Sequence, residues 1–202
     1  MRSRAAAATL EGAGLKQVYS MEGGIRAWKG LVAEGAPESG IAYFSPATKP
    51  EEMVALAWYL ENGSRRFYAE LARTLIEADM ADVYSQLASA EERHQVTLLD
   101  LYKELSGATP DAGFPKSVIS AKDEDDVMEG GMRVSEALQW AKGKRVTEIL
   151  ELSLALETNS YDLYLTMELG LKDQPSAQVF RLLSAEERHH LERLSLLFEE
   201  SV

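Results

Sequence analysis

The chain has no cysteine among its 202 residues. That excludes disulfides, thiolate metal sites and a cysteine nucleophile. Histidine is almost as scarce, with three in all, so any imidazole chemistry has to draw on those three. Positive charge is in deficit: 21 Lys and Arg stand against 33 Asp and Glu, a formal net charge of −12. That balance argues against nucleic acid and against an anionic membrane as partners. No run approaches the roughly 20 apolar residues of a membrane span. The Ala-rich start from Met1 to Leu10 is interrupted by Glu11 before it reaches the length of a signal-peptide core. A cytoplasmic location is the expectation.

What is present is a repeat. Residues 89–94 read Ser-Ala-Glu-Glu-Arg-His, and residues 184–189 read the same. Each copy lies in an apolar-periodic run (Leu87, Val96, Leu98, Leu99; Leu182, Leu183, Leu191, Leu194), which places it inside a helix. Within each copy a Glu and a His stand three apart, Glu91 with His94 and Glu186 with His189. At that spacing both side chains leave one face of a helix, one turn apart, and can hold one metal ion. One such pair is a weak signal; two in a duplicated segment, using two of three histidines, is a stronger one.

Taken in order, Arg4 to Leu10 predicts a helix closed by Gly12 and Gly14, Lys16 to Tyr19 a short strand, and Ile25 to Ala33 a small helix with Trp28 on its apolar side. That is too little core to stand alone. The expected division is an appendage with linker at 1–45 and a helical domain at 46–202. Helix A is predicted from Glu51 to near Ala78, and helix B from an N-cap at Asp79 to Leu105, ahead of Gly107. Residues 107–133 hold Pro110, Pro115, an acidic run and Gly130-Gly131, and read as a crossover ending in a small helix, Ser135 to Ala141. Helix C is predicted from Lys144 to Leu169, and helix D from Ser176 to Glu200. Helix A maps onto helix C at an offset of 96, with Glu61 on Glu157 and Tyr68 on Tyr164. The hexapeptides need 95, and the difference is assigned to a turn. Two helix hairpins joined by a long connection make an all-α, ferritin-like four-helix bundle with a small α/β appendage.

At roughly 1.5 Å of rise per residue, Glu61, Glu91, His94, Glu157, Glu186 and His189 fall at one level of that bundle. One Glu from each of two helices and a Glu-x-x-His from each of the others is the di-iron carboxylate inventory. Four carboxylates balance two divalent ions, and oxygen and nitrogen donors suit iron, with manganese or zinc as substitutes. By the same reading His190, Glu92 and Glu187 point away toward solvent, and Trp58 and Trp140 are core.

Residues 51–200 resemble the rubrerythrin-like ferritin superfamily through Leu60-Glu61-Asn62-Gly63, Phe67-Tyr68 and the two Glu-Glu-Arg-His copies. The resemblance implies that Glu61, Glu91, His94, Glu157, Glu186 and His189 are metal ligands, with Glu91 and Glu186 bridging two iron ions and the four acids forming the reactive centre. It implies reduction of hydrogen peroxide, or of dioxygen, with electrons from an external donor protein. Two departures qualify it. Rubrerythrins carry an acid three residues after the helix C Glu, where this chain has Ser160, and they carry a Cys-rich electron-donating module that a chain without cysteine lacks. Iron storage or sequestration without turnover is the alternative, and an interaction module with a structural metal ranks below both.

Residues 1–40 resemble the C-terminal end of a rhodanese domain in Arg2-Ser3, Ala6-Ala7, Val18-Tyr19 and Met21-Glu22-Gly23-Gly24-Ile25-Arg26-Ala27-Trp28. In that family the Arg-Ser follows the catalytic cysteine loop, so no sulfurtransferase activity is expected here. A homodimer that buries this segment is the expected assembly.

Overall fold

The computed structural model describes residues 49–75, 77–119, 126–170 and 174–201, all within one compact unit, Gly40–Val202. The strand, the two small helices and the rhodanese-like words expected before residue 46 lie outside the described residues.

Helix α1 spans Pro50–Thr74. Pro50 occupies its first position, where a preset φ helps and the missing N–H costs nothing. The Glu52 carboxylate accepts a hydrogen bond from the Lys49 backbone N–H at 3.3 Å. Helix α2 spans Ala78–Ser106, with Glu77 as its N-cap residue. Asp79, expected at the cap, lies instead in the first turn, where its charge still favours the helix N-terminus. Gly107 ends α2 in the left-handed region, φ 66, and returns its N–H to Lys103 O at 3.0 Å. The crossover contains the short helix α3 (Lys116–Ile119), a 3-10 turn at Glu129–Gly131, and α4 (Val134–Ala141). Helices α5 (Val146–Gly170) and α6 (Gln174–Glu200) complete the bundle. Helix α1 packs along α2, α5 along α6, and α2 touches α6. This is the predicted pair of hairpins joined by a long crossover. Among the described residues the only strand-like pairing is the single bridge Val127–Arg133, and no helix is long and apolar enough to cross a membrane.

The core comes in two halves. One gathers Phe67, Tyr68 and Leu71 of α1 with Val83, Tyr84 and Leu87 of α2, Ile149, Leu150 and Leu156 of α5 and Leu194 of α6. The other gathers Val54 to Leu60 of α1 with Leu98 and Leu101 of α2, Leu163, Tyr164 and Met167 of α5 and Phe180 and Leu183 of α6. On every long helix the change from one half to the other falls where the predicted acids stand. A polar layer therefore sits between two apolar ones. Trp58 is partly buried against Phe114, with ring centroids 5.4 Å apart. Trp140 departs from the expected core position: α4 buries only the stripe Val134, Ala137 and Ala141, which leaves Trp140 beside it 40% exposed.

Candidate metal centre

Six side chains from the four long helices meet in the polar layer. Helix α1 supplies Glu61, α5 supplies Glu157, α2 supplies Glu91 and His94, and α6 supplies Glu187 and His190. Their donor atoms form two overlapping groups, Glu61–Glu91–His94–Glu187 and Glu91–Glu157–His190, each with its atoms within 4.8 Å of one another. Glu91 belongs to both. Glu187 reaches both imidazoles, with Oε1 3.2 Å from His94 Nδ1 and Oε2 3.4 Å from His190 Nδ1. His94 Nδ1 also lies 3.4 Å from Glu61 and 3.2 Å from Glu91, and His190 Nδ1 lies 2.9 Å from Glu157. The two rings stack nearly parallel, 5.7 Å apart.

The structure thus gathers Glu61, Glu91, His94 and Glu157 from the predicted set, and it moves the second Glu-x-x-His by one residue. Glu187 and His190, expected in solvent, are 1% and 13% exposed; Glu186 and His189, expected as ligands, are 50% and 69% exposed. One residue along a helix is a rotation of about 100°, enough to exchange the core face for the solvent face. His189 pairs with Glu192 at 3.4 Å instead. Glu186 stays at the rim, its Oε2 3.1 Å from His94 Nε2. Glu92 is exposed, as expected. The matched letters of the hexapeptides set the false register. The doubled His189-His190 makes a Glu-x-x-His readable in either register, and the offset of 96 already visible between helices A and C was the better guide.

Burial dominates the electrostatics. It raises Glu61 well above the ordinary carboxylate range, with repulsion from Glu91 and Glu129 added and His94 opposing. It raises Glu157 likewise, with Glu187 adding and His190 opposing. For the histidines burial pulls downward, but the surrounding carboxylates win. His94 is raised by Glu61, Glu186 and Glu187, and His190 is pushed up to about 11 by Glu157 and Glu187. Burial would raise Glu187 too, yet the His190 and His94 imidazoles beside it hold it well below the usual range. The layer is short of positive charge, and protons are its only supply from the chain itself.

The orphaned atoms point the same way. Both carboxylate oxygens of Glu61, Glu91 and Glu187, and Nδ1 of His94, are buried and make no hydrogen bond. Buried polar atoms are ordinarily paired, and a convergent unpaired set of oxygens with an imidazole nitrogen suits metal cations. The residues fit two divalent ions.

Sequence reasoning missed a further acid. Glu129, from the 3-10 turn of the crossover, is fully buried beside the layer. Its Oε2 accepts a hydrogen bond from Ser64 Oγ at 2.6 Å. Burial, with repulsion from Glu91 and Glu187, pushes its carboxyl up to about 8, against the opposing pull of the Ser160 and Ser64 hydroxyls. Ser64 and Ser160 are themselves 96 residues apart, three after Glu61 and Glu157. The signal was a lone acid between apolar Val127-Met128 and Gly130-Gly131. Tyr68 donates its hydroxyl to Glu157 and stacks on Tyr84 at 5.8 Å. Tyr164, its repeat mate, packs on Phe180, and its buried hydroxyl has no partner.

No protein-family model and no curated protein matches the sequence. Solved structures do resemble the fold. A hypothetical protein of Pyrococcus furiosus aligns at TM-score 0.60 with 22% identity, over 82% of this chain and 95% of its own. A Thermotoga maritima protein described as a candidate ferritin-like diiron-carboxylate protein aligns at TM-score 0.57 with 22% identity, over 77% of this chain and 97% of its own. What this likeness shows is the fold: the chain is a ferritin-like four-helix bundle.

Proposed function

We propose that this chain is a di-iron redox protein that reduces hydrogen peroxide, or dioxygen, with electrons from an external donor protein. One observation carries the reading: two overlapping carboxylate–imidazole groups share Glu91, lie within a largely buried layer and leave seven donor atoms unpaired. Glu61, Glu91, His94 and Glu187 would hold one ion, and Glu91, Glu157 and His190 the other, with Glu91 common to both groups. The four carboxylates neutralise two divalent ions, with manganese or zinc as substitutes. When bound, a ferrous pair supplies the two electrons that, with two protons, reduce hydrogen peroxide to water.

The chain's own residues set the conditions. The apolar halves above and below exclude bulk water and strengthen every charge interaction between them. Tyr68 donates to Glu157 and fixes that carboxylate's orientation. With no cysteine, the chain has no thiolate to relay electrons, which is why the donor is a separate protein.

The test is anaerobic loading with ferrous iron followed by rapid mixing. About two ions per chain are expected, with oxidation faster by hydrogen peroxide than by dioxygen. Faster oxidation by dioxygen with accumulation of ferric iron would make this an iron-storage protein. An unchanged stoichiometry in Glu91→Ala would remove the metal-centre assignment.

A further inference from the structure

We propose that Glu129 is a seventh metal-facing ligand and the fifth acid of the set, delivered by the crossover into the gap between the repeat-related serines Ser64 and Ser160. The inference rests on the metal-centre reading above and extends it to a residue outside the duplicated helices. The backbone is built to bring this side chain in. A Cβ on Gly63 would lie 2.7 Å from Met128 Cα and 2.8 Å from Met128 Cβ, besides striking Val127 O, so only a glycine lets the crossover lie this close to α1. Gly130 follows Glu129 at φ +72, and a Cβ there would meet Asn159 Nδ2 at 2.6 Å. The loop is clasped at its base. Met128 N–H donates to Met132 O at 2.9 Å, Val134 N–H donates to Asp126 O at 2.8 Å, and Asp126 is ion-paired with Arg66 of α1.

At the end of this clasp the carboxyl is held by one oxygen only. Oε2 takes the Ser64 hydrogen bond, and Oε1 is buried with no partner. The neighbouring charges it feels are Glu91, which belongs to both groups, and Glu187, which reaches both imidazoles. A residue that merely filled space beside two serines would not need to be an acid, and a buried acid facing other acids is costly unless a cation joins them. The free oxygen gives the cluster one more ligand than the duplicated helices supply.

Glutamine separates these roles, because it keeps the shape and the serine hydrogen bond but removes the charge. The full chain is titrated with cobalt(II), whose visible bands report the number and symmetry of its ligands. In wild type two ions per chain are expected. In Glu129→Gln one of the two is expected to bind about tenfold more weakly or worse, with altered visible bands. Unchanged affinities and bands in Glu129→Gln would overturn the proposal and leave Glu129 as a space-filling residue. If Glu129→Gln does not fold by circular dichroism, Glu129→Asp, which keeps the charge on a shorter arm, is read the same way. Altered bands support the proposal, and unchanged bands overturn it. If wild type binds no pair of ions, the metal-centre reading itself fails, and this inference fails with it.

Discussion

Oε2 of Glu186 lies 3.1 Å from Nε2 of His94, on the opposite edge of the ring from Nδ1, which faces Glu61, Glu91 and Glu187. When the ring is neutral, a half-exposed carboxylate in this position can accept from the nitrogen that points out of the cluster, which leaves the inward nitrogen to hold a metal. Carboxylates in this relation orient metal-binding imidazoles and are worth roughly ten- to hundredfold in metal affinity. Glu186→Ala is therefore expected to weaken ferrous binding by about tenfold or more, whereas His189→Ala, one turn toward solvent, is expected to leave it unchanged. Metal titration of the two variants checks this, and the reverse order would restore the other register.

The two repeat-related tyrosines are expected to behave unequally. Tyr68→Phe removes a hydrogen bond to Glu157 and should cost about 1–3 kcal/mol, the range for a bond to an ionisable acceptor. Tyr164→Phe removes a buried hydroxyl with no partner, and should be neutral or slightly stabilising. Urea unfolding of both variants, with chelator present, measures the difference.

Gly63→Ala places a methyl against the backbone of Met128. Overpacking of this kind costs about 1–3 kcal/mol. The melting temperature should fall, and the crossover should shift off α1. Metal affinity should then fall in step with that of Glu129→Gln if the same carboxyl is displaced.

The metal-free protein should lose stability as pH rises. Glu129 is raised from 4.5 to about 8, and His190 from 6.5 to about 11. In both cases the folded chain binds more protons than the unfolded chain between the two values. Stability is then fully present below the ordinary value and is lost as pH climbs through the folded one. Glu61 and Glu157, raised by burial, act in the same direction. Glu187, lowered by its histidines, acts oppositely and costs stability only on acidification below 4.5. Thermal melts in chelator should therefore give a higher midpoint near pH 5 than near pH 8. Ferrous or manganous ions, which need deprotonated ligands, should reverse that order. A flat profile would contradict the charge deficit described for the layer.

Much of this was legible in the sequence because helices report themselves by period. The four long helices, the crossover and the level at which Glu61, Glu91, His94 and Glu157 meet all follow from apolar spacing. The register of α6 did not, because identical letters 95 residues apart outweighed a chemical pattern 96 apart. Buried positions decide between them. Leu87, Glu91, His94 and Leu98 correspond to Leu183, Glu187, His190 and Leu194, all turned inward. Glu129 was hidden for a different reason. A residue in an irregular crossover has no periodic neighbours to say where its side chain points, and only the close approach at Gly63 reveals it. The acid that the rubrerythrin resemblance leads one to seek at position 160 is a serine, and the carboxyl beside that serine comes from the crossover.

The single crossover has a consequence for the duplicated bundle. Glu61 and Glu157, Glu91 and Glu187, His94 and His190, and Ser64 and Ser160 are matched 96 residues apart, but Glu129 has no counterpart among the described residues, and Tyr84 is answered by Phe180. An odd carboxyl cannot be shared evenly by two mirrored halves. The two positions of the proposed metal pair are therefore expected to be inequivalent: one should fill first, and a loaded pair should give two spectroscopic signatures.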